Sequence, residues 1–251
     1  MTILLPMAGR GERYSKRGYT MPKPLIPVNG TPMVIKAVND LPKADKHVFV
    51  LLEEHIQRFG IDRSIRRYLP HALFVPLKEV TEGQASTCLT GLEKIHEDEE
   101  LLIGACDNGI IFEKRAWLDS KKDADVLVFT FRNNSTVVEK PQQFGWVKVN
   151  ERNEAVYVSV KKPLSNNPVN DHAVIGTFWF NKAAYFRKAA EAMIRQNRRV
   201  NNEYYVDECI NDAVRMGLRV RVFEALKYIS WGTPDDYETF NYWNSFFNQV
   251  K

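Results

Sequence analysis

The chain has 251 residues, 44% of them hydrophobic and 26% charged, with a net charge of +4. This composition excludes collagen, wholesale disorder and low-complexity sequence, and the length suits a single domain spanning 1–251 with at most a modest appendage. No apolar run reaches the ~18–20 residues that cross a bilayer, because Lys, Glu, Asp or Pro interrupts every stretch, so no membrane insertion is expected.

The charge is too small and too evenly spread to imply a nucleic-acid partner. The densest basic stretch, Arg63 to Arg67, reads as a solvated helix face. The chain enters an apolar run at once, Thr2 to Ala8, without the basic segment that precedes a signal-peptide core, so a cytoplasmic location is expected. Cys88, Cys106 and Cys209 are odd in number and lack C-x-x-C spacing, which argues against a disulfide framework or a structural zinc site and fits a reducing compartment.

Continuous apolar runs at Ile3–Leu5, Val48–Leu52, Leu73–Val75, Leu101–Ile103 and Val126–Phe129 predict strands buried on both faces. Between them, Pro32 opens a helical pattern (Met33, Val34, Ala37, Val38, Leu41), and a second begins near Ser86 with Leu89, Leu92 and Ile95. Strands alternating with helices predict an α/β fold with a doubly wound, mostly parallel sheet. In the second half, Gly145–Val149 and Ala155–Lys162 flank a polar turn and predict an antiparallel hairpin. Val174–Phe180 reads as a strand, Tyr185–Ile194 as a helix, Glu203–Met216 as a helix stopped by Gly217, and Arg219–Glu224 as a strand. Ser165–Asp171 is the most loop-like segment and, with His172, reads as a flap.

The first strand runs into Ala8-Gly9-Arg10-Gly11-Glu12-Arg13. Glycines directly after a strand let the backbone turn sharply and bring N–H groups close to a ligand, as phosphate binding requires. The third glycine of the dinucleotide fingerprint is missing, and so is G-K-[ST], so neither a nicotinamide cofactor site nor a Walker loop fits. Instead Lys23 sits in Met21-Pro22-Lys23-Pro24-Leu25, the one charge in an apolar frame that prolines hold extended. Arg13 and Lys23 beside a glycine loop suit a triphosphate. The alternative, a strand and turn with two surface cations, is weakened by that frame.

G-x-G-x-R, then P-K-P-L, then a G-T-P-M helix start resembles the sugar nucleotidyltransferases, the nucleoside-diphosphate-sugar pyrophosphorylases. The resemblance covers nearly the whole chain and is greatest to short members associated with capsule or surface-polysaccharide synthesis. It implies a Rossmann-like fold with an inserted antiparallel sugar-binding part. Residues 1–140 would then be mainly the nucleotide half and 141–251 mainly the sugar-phosphate half. It also implies Mg²⁺, an NTP and a phosphorylated sugar or polyol as reactants, and leaves a homo-oligomer open. By position, Ala8, Gly9, Arg10, Gly11, Arg13, Lys23, Gln84, Ala85 and Ser86 would bind the nucleotide. Asp107 would hold the metal, and Gly145, Lys162, Gly176 and Glu203 would form the sugar-phosphate side.

The chemistry suits these residue types. Both reactants are anions and the displacement is in-line, so the work is positioning and charge neutralisation, with Arg13, Lys23, Asp107 and Lys162 as the catalytic set. A phosphate monoester is already an anionic nucleophile, so no general base is needed. Cys106 reads as core packing. One departure stands out. Better-known members carry a second metal aspartate two residues before the late glycine, where this chain has Ser230 in Ile229-Ser230-Trp231-Gly232-Thr233. Glu203 and Asp207, four apart on an expected helix, are the candidate substitutes; a water-rich ion and an exposed acidic pair remain alternatives. The rival to an active transferase is a silent nucleotide-binding protein on the same fold, which Ser230 favours and the intact Arg13, Lys23, Asp107 and Lys162 oppose.

Overall fold

The computed structural model describes residues 1–250. Strand β1 (Thr2–Pro6) is followed by helix α1 (Glu12–Lys16) and a small hairpin of β2 (Pro27–Val28) and β3 (Thr31–Pro32). Helix α2 (Met33–Asp40) leads to β4 (Lys46–Leu52), α3 (Glu53–Phe59), α4 (Ile61–Arg66) and β5 (Leu73–Leu77). Helix α5 (Gln84–Gly91) returns the chain to β6 (Leu101–Ile103), and β7 (Asn108–Ile111), α6 (Lys114–Ser120), β8 (Val126–Phe131) and α7 (Thr136–Glu139) follow. The second half adds β9 (Gly145–Val149), β10 (Ala155–Val160), β11 (His172–Phe180), α8 (Ala183–Arg195) and α9 (Val206–Arg215). It closes with β12 (Val220–Glu224), β13 (Lys227–Ser230) and α10 (Pro234–Gln249).

The main sheet has nine strands. β1 pairs in parallel with β4 and β6, β4 with β5, and β8 with β12. β11 runs antiparallel between β6 and β8, and β9–β10 is an antiparallel hairpin. Only β10 and β11 oppose the common direction, so the sheet is mostly parallel. Alternate residues of each strand enter different cores: Leu4, Leu101, Ile103 and Val128 face α5, α8 and α9. Ile3, Leu5, Leu102 and Phe129 face α2, α4 and α6. Burial on both faces is the reason these strands read as unbroken apolar runs.

Three features position the site. The chain steps from β1 to β4 and β5 on one side, then crosses to β6 on the other, so a topological switch point lies between β1 and β6. A crevice opens there at the carboxyl ends of the strands. β11 changes register between Val174 and Phe178, around Gly176 at φ +87°. Its last residues pair with β6 while its first pair with β9, which carries the hairpin beyond the end of β6. Finally, β13 pairs with β7 so that Ser230 faces Asn108, bringing the late glycine segment onto the loop after β6.

The structure corrects three expectations of extent. His172, read with the flap, is instead buried as the first residue of β11, with Nδ1 2.9 Å from Thr130 Oγ1. α9 starts at Val206, so Glu203 lies before the helix, in a short bridge with Val200. Glu203 and Asp207 therefore do not share a helix face. β10 ends at Val160, leaving Lys161 and Lys162 beyond the strand, with Lys161 at φ +63°.

Candidate active site

A cavity of about 470 Å³ occupies the switch point, lined by Gly9, Gly11, Arg13, Lys23, Gln84 and Asp107 among others. Beneath it lies a small separate core of Tyr14, Ile26, Val28, Met33, Ala37, Trp231 and Tyr237. This core fixes both banks of the cavity. The buried Tyr14 hydroxyl lies 2.6 Å from the Trp231 carbonyl, so the turn after the glycine loop is tied to the late segment 217 residues away. Gly11 adopts φ +65°, a left-handed conformation that favours glycine, and a Cβ there would meet the Lys23 Cβ at 3.4 Å. Around Gly9 a Cβ would meet nothing within 4 Å, so the loop backbone is open to a ligand. Ala8 is buried, and Arg10 is exposed.

The Lys23 ammonium pairs with the Asp107 carboxylate and donates to the Gly232 carbonyl at 3.3 Å. Burial pushes the Asp107 carboxyl up, but the charge and hydrogen bond of Lys23, with the charge of Arg13, hold it below the usual carboxylate range. Asp107 is thus ionised and already holds a cation. Cys106 beside it is pushed up to about 12 by burial and by the Asp107 charge, so its thiol is inert.

The Gln84 loop is clamped from the second half of the chain. The Tyr204 N–H donates to the Glu82 carbonyl and the Ala85 N–H donates to the Tyr204 carbonyl, each at 2.9 Å. Gly83, at φ +137°, is needed because a Cβ would lie 2.5 Å from the Tyr204 nitrogen. Gln84 faces the cavity, but Ala85 is buried with its N–H already taken, and Ser86 is half-buried on α5 outside the lining.

Outside the cavity lining, a Cβ at Gly145 would stand 2.1 Å from the Asp207 carboxylate, so that carboxylate packs directly on the glycine. Burial raises Asp207 to about 6, against the pull of Lys161. Gly176 lies over Ala105, beside the Asp107 loop. Lys162 is exposed, its carbonyl accepting from Ser159 Oγ at 2.7 Å. Lys161 is half-buried, with Nζ 5.3 Å from the Tyr205 ring centre and donating to the Gln143 carbonyl at 2.6 Å. Burial lowers the Lys161 pKa, with Asp207 opposing, Arg13 assisting and Glu203 opposing. Arg13 therefore acts on Asp107 at one end and on Lys161 at the other. Glu203 is exposed.

Sequence reasoning singled out neither Lys161 nor Tyr14, and it saw Asp235-Asp236 only as part of a family-like G-T-P-D-D segment, with no role for Asp236. Ser230 Oγ donates to Asp236 at 3.0 Å and accepts from the Gly232 N–H at 3.1 Å, and a Cβ on Gly232 would sit 3.2 Å from Ser230 Oγ and 3.4 Å from Asp107. A second carboxylate thus lies one hydroxyl away from the Asp107 loop, reached from α10 rather than from α9. The available signal was Asp235-Asp236 following Gly232-Thr233-Pro234, with Thr233 capping the helix through the Asp236 N–H. Among the described residues no three His, Cys, Asp or Glu side chains gather as a metal cluster. The donor set still fits Mg²⁺, which takes one or two carboxylates and fills its shell with waters and phosphate oxygens. The Lys23 ammonium on Asp107 marks where a cation is stabilised.

The fold has many counterparts among solved structures. A nucleoside-diphosphate-sugar pyrophosphorylase from Vibrio cholerae superposes with TM-score 0.76 at 20% identity, over 95% of this chain and 98% of that one. The inositol-1-phosphate CTP transferase of T. maritima gives 0.71 at 19%, covering 96% and 94%. A UDP-glucose pyrophosphorylase complexed with UDP-glucose gives 0.73 at 19%, covering 99% and 98%. No curated protein matches. Residues 2–243, from the glycine-loop strand through most of α10, match a single family description, and the chain belongs to the nucleotidyl transferase family.

Proposed function

We propose that the protein transfers a nucleotidyl group from an NTP to a sugar 1-phosphate or a similar phosphorylated polyol, for nucleotide-sugar synthesis and a surface polysaccharide. The observation that carries this reading is the Lys23–Asp107 pair facing the open glycine loop at the switch point. An oxygen of the acceptor phosphate attacks the α-phosphorus of the NTP. The bond to the β-phosphate bridge breaks and pyrophosphate leaves. The glycine-loop N–H groups and Arg13 hold the triphosphate, and Lys23 swings from Asp107 to the phosphate oxygens as negative charge builds on the leaving group. Asp107 would hold Mg²⁺, with Asp236 behind the Ser230 hydroxyl as the nearby second carboxylate, and the ion when bound would neutralise phosphate charge and align the α-phosphate.

Gln84 presents an amide able to donate to and accept from a base edge. On the acceptor side we assign the phosphate-holding role to Lys161 in preference to Lys162, because Lys161 is half-buried within reach of the Arg13 field while Lys162 faces solvent. Residues 1–140 then supply most of the nucleotide contacts and 141–251 most of the acceptor contacts. The test is a matrix of the four NTPs against hexose, pentose and polyol phosphates, reading pyrophosphate release with Mg²⁺. One pair turning over well above the rest supports the assignment. Nucleotide binding without release from any pair overturns it in favour of a silent nucleotide-binding protein.

A further inference from the structure

Helix α10 shows an unusual distribution of its apolar residues. Its inner side is thin: Tyr237 is in the small core, Phe240 packs on Trp231 at 5.7 Å between ring centres, and Asn244 donates to Asn29 at 2.7 Å. Its outer side carries Tyr242, Trp243, Phe246, Phe247 and Val250, with exposures of 66%, 50%, 47%, 60% and 69%. Trp243, Phe246, Phe247 and Val250 follow i, i+3, i+4 and i+7, one continuous stripe. The rings already touch one another, with Trp243 stacked on Phe247 at 6.1 Å and set edge-on to Phe246 at 5.9 Å. A helix normally turns its larger apolar face inward; this one turns it to solvent.

We infer that this face is a two-fold interface between copies of the chain, formed by antiparallel packing of α10 on its mate. Charge and area point to a second copy. From Thr239 to Val250 there is no charged residue, and Asn, Ser and Gln border the stripe. A membrane-lying helix would border it with Lys or Arg, and a charged partner would leave complementary charge on this helix. An uncharged stripe meets its own image without repulsion, as a two-fold contact demands. Four half- to two-thirds-exposed rings leave about 500 Å² of apolar surface per copy, given the ~150–250 Å² such side chains bury. Two copies then bury about 1,000 Å² from the rings alone, the threshold of a specific interface, before Val250 and the polar border are added.

Sedimentation velocity of the 251-residue chain from about 5 to 100 µM tests this. The expected result is a dimer in the upper part of that range. Trp243→Glu with Phe247→Glu should weaken it at least ~30-fold, the scale of losing a central aromatic anchor, while the Leu pair at the same positions keeps it. Thermal melts establish that each variant folds. If the glutamate pair does not, Tyr242→Arg at the rim gives the same reading more gently. A monomer at 100 µM, or a dimer unmoved by the charged variants, overturns the inference and assigns the stripe to another occupant or the contact to another face.

Discussion

Two regions, the cavity around the glycine loop and the cluster around Gly145 outside its lining, are built differently. The first consists of short sequence-local devices: Gly9 and Gly11 after β1, Lys23 between prolines, Asp107 after β6. The second is assembled from distant pieces: Gly145 on β9, Lys161 past β10, Asp207 on α9, brought together because β11 bends at Gly176. Local devices survive as recognisable motifs because strand, turn and charge are neighbours in the chain. Assembled surfaces do not, because each residue matters only through partners far away in sequence. Under the proposed function the first would neutralise the triphosphate, and the second would select and hold the other substrate.

The sharpest way to break that division is Lys23→Ala. Turnover should fall ~10²–10⁴-fold, the scale of losing a cation that stabilises transition-state charge. The melting temperature should fall as well, because Asp107 loses the cation that offsets its burial. Pyrophosphate release within about threefold of the unmodified protein would remove Lys23 from the mechanism. Asp107→Asn keeps the shape and loses the charge that balances Lys23. Turnover at ordinary Mg²⁺ should drop about 10²-fold or more, with nucleotide binding by calorimetry far less affected. Retained turnover would misplace the cation site.

The second region gives smaller, more selective effects. Lys161→Ala should raise KM for the phosphorylated co-substrate about tenfold or more, the scale of one charge-assisted contact, and leave NTP affinity nearly intact. Lys162→Ala should change both by less than about threefold. A reversed order of the two lysines would return the phosphate to Lys162.

The smallest effect concerns stability and pH. Gly145→Ala should cost about 1–3 kcal/mol, as an overpacked contact does, because its Cβ meets the Asp207 carboxylate. Asp207 itself is raised from 3.8 to about 6 by burial. Its protonated form favours the folded state, so its contribution is complete below pH 3.8 and is lost as pH rises through about 6. Asp207→Asn should therefore stabilise the protein more at pH 7 than at pH 4, read by denaturant midpoints at both. An equal shift at both pH values would place Asp207 in a less confined setting.

The sequence by itself determined the parallel core, because strands buried on both faces must be apolar throughout, as Val126–Phe129 and Val48–Leu52 are. It also placed the glycine loop and Asp107 at strand ends, where the fold class puts ligands, whereas Lys23, read as extended between prolines, opens a 3₁₀ turn, Lys23–Leu25. Only the tertiary structure decided which of two adjacent lysines turns inward: the strand period stops at Val160, and the left-handed backbone at Lys161 breaks the alternation that sequence reading extends. It likewise took Glu203 off the helix, since the local Val200–Glu203 bridge and the long-range clamp of Tyr204 on Glu82 and Ala85 compete with the helical pattern. And it brought Asp236 to Ser230, because the β7–β13 pairing and the capped start of α10 set a contact that spacing along the chain does not encode.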